Sequence, residues 1–244
     1  VVFPSYCFAE KNGTFTNSER RIQRVRKAVE PPGETKKDWE ILCELSTLMG
    51  YPMSYDNSEA IFNEIAAVTP SYHGVTWERI ENLGIHWPCP DENHPGTPIL
   101  HTSQFTRGKG LFHAIEHTPP AEQPDDDYPF VLTTGRVLYH YHTGTMTMKT
   151  RGLNIMSPEC FVEISGDDAQ NLGLASGSMV KVSSRRGEIQ AKLKVSSKAV
   201  KGTVFIPFHF ADAAANELTN AKLDPTAKIP ELKVCAIKIE PAPA

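Results

Sequence analysis

The spacing of apolar residues predicts an amphipathic helix early in the chain. Between residues 36 and 50, apolar side chains recur at the three-and-four spacing that places them on one helix face. These positions are Ile41, Leu42, Leu45, Leu48 and Met49. Gly50 follows them, and glycine readily adopts the left-handed conformation that ends a helix. We therefore expect a helix over this segment that stops at Gly50.

Two further helices and one strand are predicted in the same half of the chain. Ser58 can cap a second helix, because its hydroxyl can accept a backbone N–H of the first turn. Thr76 and Gly84 bracket a third helix over residues 77–83. The apolar residues 1–5 are typical of a strand that runs into a loop. Because the sequence opens on this run without Met, we expect it to be part of a longer chain.

After residue 129 the pattern changes to the period-two alternation of half-buried strands. Residues 178–184 and 187–195 alternate in this way, and Arg185, Arg186 and Gly187 form the tight turn of a hairpin. Four further strands are predicted at residues 130–134, 161–165, 202–207 and 233–240, with a short helix at 167–173. Six short strands with one small helix favour a closed barrel, because closure removes exposed strand edges. The predicted fold is α+β and mainly β, a six-stranded barrel preceded by a loop-rich helical segment.

Prolines interrupt both patterns between residues 87 and 129. Proline fixes φ and lacks a backbone donor, so we expect an irregular connection here. The same stretch contains an acidic run at residues 125–127. The prolines are Pro88, Pro90, Pro95, Pro98, Pro119, Pro120 and Pro124. We place a domain boundary inside this stretch.

The composition indicates a globular protein with a sizeable core, since 40% of the 244 residues are hydrophobic. The 25 basic and 29 acidic residues give a net charge of −4, which does not point to nucleic acid or a membrane surface. No apolar run approaches the roughly 20 residues that span a bilayer, and the first residues lack the pattern of a signal peptide. We expect a soluble cytoplasmic protein without membrane insertion.

The five cysteines are scattered and form no CxxC pair, so a metal cluster within this chain is not expected. Free thiols in a reducing compartment are the simpler interpretation. The cysteines are Cys7, Cys43, Cys89, Cys160 and Cys235. The motifs of hydrolases and nucleotide-binding loops are absent from the sequence. The basic run at residues 20–27 could bind an anion or a partner, although a solvated charged face is the simpler interpretation.

The densest polar segment covers residues 133–147 and follows an apolar strand. Gly135 and Gly144 would let the backbone approach a ligand closely, and Arg136 could form paired hydrogen bonds with a phosphate or a carbonyl group. Five threonines add hydroxyl groups. The segment therefore predicts a site for a polar, phosphate-bearing ligand, with an ordinary surface loop as the alternative.

Two histidines and one lysine add to this prediction. His140 and His142 lie two residues apart, which on a strand would place both on one face. We favour hydrogen-bonding histidines in a ligand pocket over a zinc site, because a third ligand at a usual spacing is missing. Alternation places Lys233 on the side of Cys235 and Ile237, so its ammonium should point into the barrel. A buried ammonium requires an acidic side chain or a bound anion as its partner.

Residues 10–23, 133–147 and 215–241 resemble the carboxy-terminal part of the bis-molybdopterin guanine dinucleotide oxidoreductases, the dimethyl-sulfoxide-reductase superfamily. Within this superfamily, the segments KAVEP, DWEI, MGYPM and HWPCP look most like the catalytic subunit of formate dehydrogenases. The similarity covers nearly the whole chain in order. By this resemblance, residues 101–244 form a double-psi β-barrel that closes over the pterins. Residues 1–100 would be the tail of the preceding cofactor-binding and cluster-supporting region.

The resemblance also implies which residues bind the cofactor. In this family the segment TGRVLxHxHT wraps pterin and phosphate groups, and an acidic residue matched by Asp38 accepts two N–H donors of a guanine ring. Some hydrogenase-linked relatives carry Glu and Ser where this chain has Val137 and His142, which is a departure from that subfamily. The implied cofactor-binding residues are Asp38, Thr134, Gly135, Arg136, Val137, Leu138, His140, His142, Thr143, Phe208, Asn216 and Lys233. No catalytic residue and no metal ligand is expected among them.

The activity implied by the resemblance is oxidation of formate to carbon dioxide at molybdenum or tungsten, which is held by two pterin guanine dinucleotides. The metal ligand and a [4Fe-4S] cluster would belong to the missing amino-terminal part of the same enzyme. An iron–sulfur or hydrogenase subunit would accept the electrons. Two alternatives remain, the terminal region of a related nitrate reductase and a stand-alone cofactor-binding barrel subunit.

Overall fold

The chain forms two compact units. The computed structural model describes residues 1–243. The first unit comprises Val1–His113, and the second begins at Ala114, within the proline-rich stretch of the sequence. Among the described residues, no helix has both the length and the apolar composition needed to cross a bilayer.

The first unit combines two helices with a small antiparallel sheet in the order β1-β2-β3. The elements are β1 (Gly13–Thr16), β2 (Arg21–Val25), α1 (Asp38–Leu48), α2 (Ser58–Val68) and β3 (Ile85–His86). Its core is a cluster of six buried side chains, Ile22, Phe62, Val75, Ile80, Ile85 and Cys89. The small number of these side chains reflects how much of the unit is loop.

Helix α1 confirms the helix predicted before Gly50, whose φ of 88° is the left-handed conformation that ends it. Its apolar residues, however, are mostly not in the core of the unit. Cys43 is the one buried residue of the helix, while Leu48 is 86% exposed and Leu42 is 57% exposed. The spacing therefore predicted the helix but not the burial of its apolar face.

Three predictions for the first unit are wrong. Helix α2 begins as expected, but its cap is Asn57, whose side chain accepts the N–H of Ala60, and not Ser58. Residues 77–83 form turns and no helix, because Gly84 at φ 72° redirects the chain into β3. A Cβ on Gly84 would lie 2.3 Å from the carbonyl oxygen of Ile22, so only glycine fits where the chain turns close to β2. The first five residues form no strand, and only an isolated bridge at Ser5 is present.

The basic run at residues 20–27 is not the solvated face that we expected, because it contains β2. Ile22 of this strand is buried in the core. The Arg24 guanidinium lies 3.7 Å from the centroid of the Trp77 ring and pairs with Glu81 at 2.7 Å. Arg26 also contacts Glu81 at 2.7 Å. The arginines therefore attach β2 to the turn at residues 77–83.

The second unit confirms the closed six-stranded barrel, in the order β4-β8-β5-β7-β6-β9. Strand pairs β4–β8 and β5–β7 are parallel, and the other neighbouring pairs are antiparallel. The strands are β4 (Phe130–Gly135), β5 (Phe161–Ile164), β6 (Met179–Ser183), β7 (Glu188–Val195), β8 (Thr203–Pro207) and β9 (Cys235–Pro241). The mixed pairing brings strands distant in sequence next to each other, so the ends of β4 and β8 lie side by side.

The predicted hairpin and short helix are both present in the barrel. In the hairpin, Val182 of β6 lies opposite Ile189 of β7, and the N–H of Ser184 donates to the carbonyl of Gly187 across the turn at 2.9 Å. Burial alternates along β7 as the sequence predicts. The helix α4 (Gly166–Leu172) is capped by Ser165 and ends at Gly173. A further short helix, α3 (Arg151–Met156), follows the polar segment.

Candidate functional site

A cavity of about 720 Å³ opens at the end of the barrel where β4 and β8 finish. Thr134 is the last residue but one of β4, and Phe208 directly follows β8. The Thr134 hydroxyl donates to the carbonyl of Leu232 at 2.7 Å, which holds the segment before β9 against the same end of the barrel. The lining residues are Thr134, Arg136, His142, Thr143, Phe208, Asn216, Leu232 and Lys233. Seven of these eight belong to the predicted site.

The lining carries two permanent positive charges. Arg136 and Lys233 both reach the cavity, and within residues 1–243 no carboxylate contributes to its wall. The Arg136 guanidinium lies 5.8 Å from the centroid of the Phe208 ring. Thr134, Thr143 and Asn216 add neutral hydrogen-bonding groups. This combination of cations, hydroxyls and an amide suits a large anion with polar substituents.

Lys233 is placed differently from the prediction. Strand β9 begins two residues later, at Cys235, so the alternation does not extend to Lys233. Lys233 is exposed at the rim, and its ammonium donates to the backbone carbonyl of Thr134. The prediction of a buried ammonium that needs an acidic or anionic partner is therefore wrong. One donor bond goes to the barrel itself, and the exposed ammonium has further donors available to a ligand.

The expectation that His140 and His142 share one strand face is also wrong, because β4 ends at Gly135 and both histidines lie in the following loop. His140 is buried, and its Nε2 bonds the carbonyl of Ser157 at 2.6 Å while its Nδ1 bonds the Thr147 hydroxyl at 3.1 Å. His142 has a left-handed φ of 48° and reaches the cavity. Among residues 1–243, no group of three or more His, Cys, Asp or Glu side chains is placed to hold a metal ion. His140 thus orders the loop from inside, whereas His142 faces the cavity.

The remaining predicted residues of this loop do not line the cavity. Gly135 ends β4, where a Cβ would lie 2.5 Å from the Phe205 ring, so a larger residue would not fit. Val137 is half-buried, and Leu138 is 89% exposed. Their contribution to the site is therefore the path of the backbone.

His209 is the residue that the sequence analysis missed. It is 1% exposed and lies between the two ends of the loop. Its Nε2 accepts the N–H of Val137 at 2.9 Å, and its Nδ1 bonds the carbonyl of His142. Burial lowers the pKa of His209 below its ordinary value, against the opposing effect of the hydrogen bond to His142. The available signal was its position between Phe208 and Phe210, directly after a predicted strand.

Asp38 belongs to the first unit, where it begins α1. Its carboxylate accepts a hydrogen bond from the Ser5 hydroxyl at 2.8 Å and forms an ion pair with Lys11. The hydrogen bond from Lys11 lowers the pKa of Asp38. Since the side chain of Asp38 is 59% exposed in this pair, part of its carboxylate is still open to an additional donor.

Comparisons with known proteins show which families this chain resembles. Residues 130–236 match the family described as "Molydopterin dinucleotide binding domain", and residues 1–48 match the family described as "Molybdopterin oxidoreductase". Over 98% of its length, the chain is 54% identical to the F420-dependent formate dehydrogenase subunit alpha of Methanocaldococcus jannaschii. The chain belongs to the molybdopterin oxidoreductase family. As a member, it carries a domain for a molybdopterin-type cofactor.

Other members of the molybdopterin oxidoreductase family are also similar over nearly the whole chain. The assimilatory nitrate reductase catalytic subunit of Bacillus subtilis is 41% identical over 99% of the chain, and formate dehydrogenase H of Escherichia coli is 37% identical over 99%. The chain spans 36% of the length of the first of these relatives and 34% of the second. It likewise spans 36% of the Methanocaldococcus jannaschii subunit, about a third of each protein.

A solved structure supports the fold of this molybdopterin oxidoreductase chain. Acetylene hydratase from Pelobacter acetylenicus superimposes with a TM-score of 0.68 and 19% sequence identity. The superposition covers 99% of this chain and 38% of that one. At this identity the comparison bears on the fold alone.

Proposed function

We propose that this chain is the cofactor-holding, carboxy-terminal part of a formate dehydrogenase and that its barrel cavity binds part of a molybdopterin guanine dinucleotide. The observation that carries the proposal is the cavity with Arg136 and Lys233 in its wall and, within residues 1–243, no lining carboxylate. A dinucleotide carries phosphates, a polar pterin and a guanine, which matches this set of cations, hydroxyls and amide. The sequence relationship to formate dehydrogenase alpha subunits supports the choice of enzyme.

The residues of this chain would bind and orient the cofactor. Arg136 and Lys233 would neutralise phosphate or pterin oxygens, and Phe208 would cover an apolar face of the ligand beside the Arg136 guanidinium. Val137, Leu138 and His140 would set the path of the loop, and Asp38 would accept guanine donors from the first unit. When bound, the cofactor would supply molybdenum or tungsten for the two-electron oxidation of formate to carbon dioxide.

The rest of the enzyme completes the proposal. We place the second pterin dinucleotide contacts, the metal ligand and a [4Fe-4S] cluster in an amino-terminal part beyond this chain, and we expect an iron–sulfur or hydrogenase subunit as the electron acceptor. The five free cysteines favour a cytoplasmic enzyme. A barrel subunit that acts alone is disfavoured, because the similarity to catalytic subunits extends through the first unit as well.

The test removes each cation from the cavity of the complete enzyme. Arg136→Ala and Lys233→Ala should each weaken cofactor binding by about 1.5–3 kcal/mol, roughly a 10- to 150-fold loss of affinity, because each change deletes a charge-assisted contact. Metal and pterin content of the purified variants would be measured together with formate oxidation. Lys192→Ala is the matched control, since Lys192 pairs with Glu159 on the barrel's exposed surface. Unchanged cofactor content in both cavity variants would refute the assignment.

The formate assignment has its own test. The complete enzyme should oxidise formate and should not reduce nitrate, whereas a nitrate reductase would show the opposite preference. The isolated 244-residue chain without metal should not transfer electrons from formate to a dye. Formate-dependent dye reduction by the metal-free chain would show that catalytic residues lie within it.

A further inference from the structure

A single imidazole connects the two ends of the cavity loop. His209 receives the N–H of Val137 at Nε2, at 2.9 Å, and bonds the carbonyl of His142 through Nδ1. The two backbone groups are five residues apart, so the side chain closes the loop into a ring. Arg136 immediately precedes one attachment point and Thr143 immediately follows the other. Both of these neighbours line the cavity.

The two hydrogen bonds fix the protonation state of the ring. A backbone N–H can only donate, so Nε2 must be unprotonated, and a neutral imidazole then carries its proton on Nδ1. That proton is donated to the His142 carbonyl. Protonation of Nε2 would place its N–H opposite the N–H of Val137, and because both groups are donors the hydrogen bond would break. The loop attachment therefore exists only in one tautomer of neutral His209.

The surroundings of His209 favour this neutral form. The ring is buried, and the ionisable groups that face it are His140, His142 and Arg136. The His140 ring lies 5.9 Å from the His209 ring, centroid to centroid. Each of these groups is or can become a cation, so they oppose a further positive charge on His209.

The segment around His209 contacts the loop at each of three consecutive residues. The Phe208 ring lies near the Arg136 guanidinium, and the Phe210 ring packs edge-on against His140 at 5.4 Å between centroids. The backbone N–H of Phe208 also donates to the carbonyl of Gly135 at 3.1 Å. Because this segment directly follows β8, the barrel holds it in place on one side of the loop.

We propose that His209 is a positioning residue for the cofactor: as the neutral Nδ1–H tautomer, it fastens both ends of the loop at residues 137–142 and so sets Arg136 and Thr143 toward the bound ligand. The inference rests on the proposed function for the ligand's identity, but the fastening itself can be measured without any ligand. Opening of the loop at low pH follows from the same geometry.

The first experiment measures the fastening in the full 244-residue chain. Nitrogen-15 NMR of the imidazole should show a protonated Nδ1 and an unprotonated Nε2 at pH 7.5. The Val137 amide should exchange with solvent at least about tenfold more slowly than that of the neighbouring Leu138. Because burial lowers the pKa of His209, this protection should persist at the ordinary imidazole value of about pH 6.5 and be lost only at lower pH. A protonated Nε2, or an unprotected Val137 amide at pH 7.5, would overturn the proposal.

Three substitutions separate the two hydrogen bonds. His209→Phe keeps the ring volume but removes both bonds, so Val137 protection should be lost. His209→Gln places an acceptor near the position of Nε2 and should retain protection at Val137, whereas His209→Asn keeps only the donor to His142 and should lose it. If His209→Phe does not fold, the comparison of Val137 protection between the Gln and Asn variants still tests the hydrogen bond at Nε2. Protection at Val137 in the Asn variant but not in the Gln variant would contradict the proposed roles.

The second experiment links the loop to the cofactor in the complete enzyme. Metal and pterin content should fall at least about tenfold in His209→Phe and less in the Gln and Asn variants. His117→Phe, a change at an exposed histidine outside the loop, is the control and should retain full content. A loosened loop with normal cofactor content would refute the positioning role. A wild-type enzyme without pterin would instead refute the proposed function and leave the measurement at Val137 intact.

Discussion

The two units of the chain differ in how they use their apolar residues. The barrel encloses a continuous core in which Leu132, Val162, Ile206 and Ile237 are all 0% exposed. In the first unit the core is a small cluster around Ile22, and most apolar residues of α1 remain at the surface. The comparison teaches that a periodic apolar pattern predicts the type of an element and the position of its apolar face. The pattern predicts burial correctly in the second unit, whose strands form a closed barrel, but not for α1 in the first unit.

The largest effect should come from the barrel core. Leu132→Ala should lower the free energy of unfolding by about 2–5 kcal/mol, because removal of a fully buried side chain leaves a cavity that the neighbouring strands cannot fill. Urea unfolding followed by circular dichroism would measure this change. All three tryptophans, Trp39, Trp77 and Trp87, lie in the first unit, so their fluorescence reports that unit separately.

The matched control is the same substitution on α1. Leu48→Ala should change the free energy of unfolding by no more than about 0.5 kcal/mol, because Leu48 is 86% exposed. A loss at Leu48 comparable to the loss at Leu132 would contradict the distinction between the two units.

An intermediate loss of stability is expected where the turn between β6 and β7 contacts the segment that precedes β4. The Glu122 side chain is 13% exposed and contacts Arg185 and Arg186 at 2.8 Å each. Burial raises the pKa of Glu122, but the hydrogen bonds from Arg186 and Arg185 outweigh it and hold the pKa below its usual range. Glu122→Gln should therefore cost about 1–3 kcal/mol of stability at pH 7.

The pH dependence supplies a second measurement at Glu122. Because its pKa is lower in the folded state, the stabilisation is complete above the pKa of the unfolded carboxyl group. It is lost as the pH falls toward the lowered folded value. The difference in stability between wild type and Glu122→Gln should narrow over that interval. A constant difference across it would show that the carboxylate charge is not the cause.

The smallest effect on stability should come from the exposed pair of the first unit. Asp38→Asn should change the free energy of unfolding by less than about 1 kcal/mol, because the Asp38 side chain is 59% exposed and water screens its pair with Lys11. Tryptophan fluorescence during urea unfolding would check this. Cofactor content of the complete enzyme should nevertheless fall, if Asp38 accepts guanine donors. Normal content would remove Asp38 from the proposed site.

The barrel was predictable because each of its strands carries its own signal. The hairpin of β6 and β7 and the helix α4 follow from alternation and from turn residues close in sequence. The sheet of β1 and β2 was missed because the arginines of β2 resemble a surface run, and only the contact of Arg24 with Trp77 shows how they are used. The turn at residues 77–83 has a helical composition, which the close approach of Gly84 to Ile22 overrides.

The site was predictable in its residue types but not in its geometry. The polar segment indicated Arg136, and resemblance added Phe208 and Asn216, which the fold brings to one cavity. His209 could not be inferred, because its two hydrogen bonds join it to backbone groups 67 or more residues away in the sequence. Lys233 was misplaced because the alternation of β9 was extended beyond the first residue of the strand.

Closure of the barrel by β9 has a consequence for the order of events during protein synthesis. Phe130 of β4 pairs with Ile237 of β9, so the ribosome must add more than a hundred residues after Phe130 before its pairing partner is made. Until β9 has emerged, β4 and β6 each lack a neighbour and the rim that carries Lys233 does not exist. Binding of a ligand in this cavity must therefore follow translation of β9. A nascent chain that is halted before Cys235 has no complete cavity in which a ligand could bind.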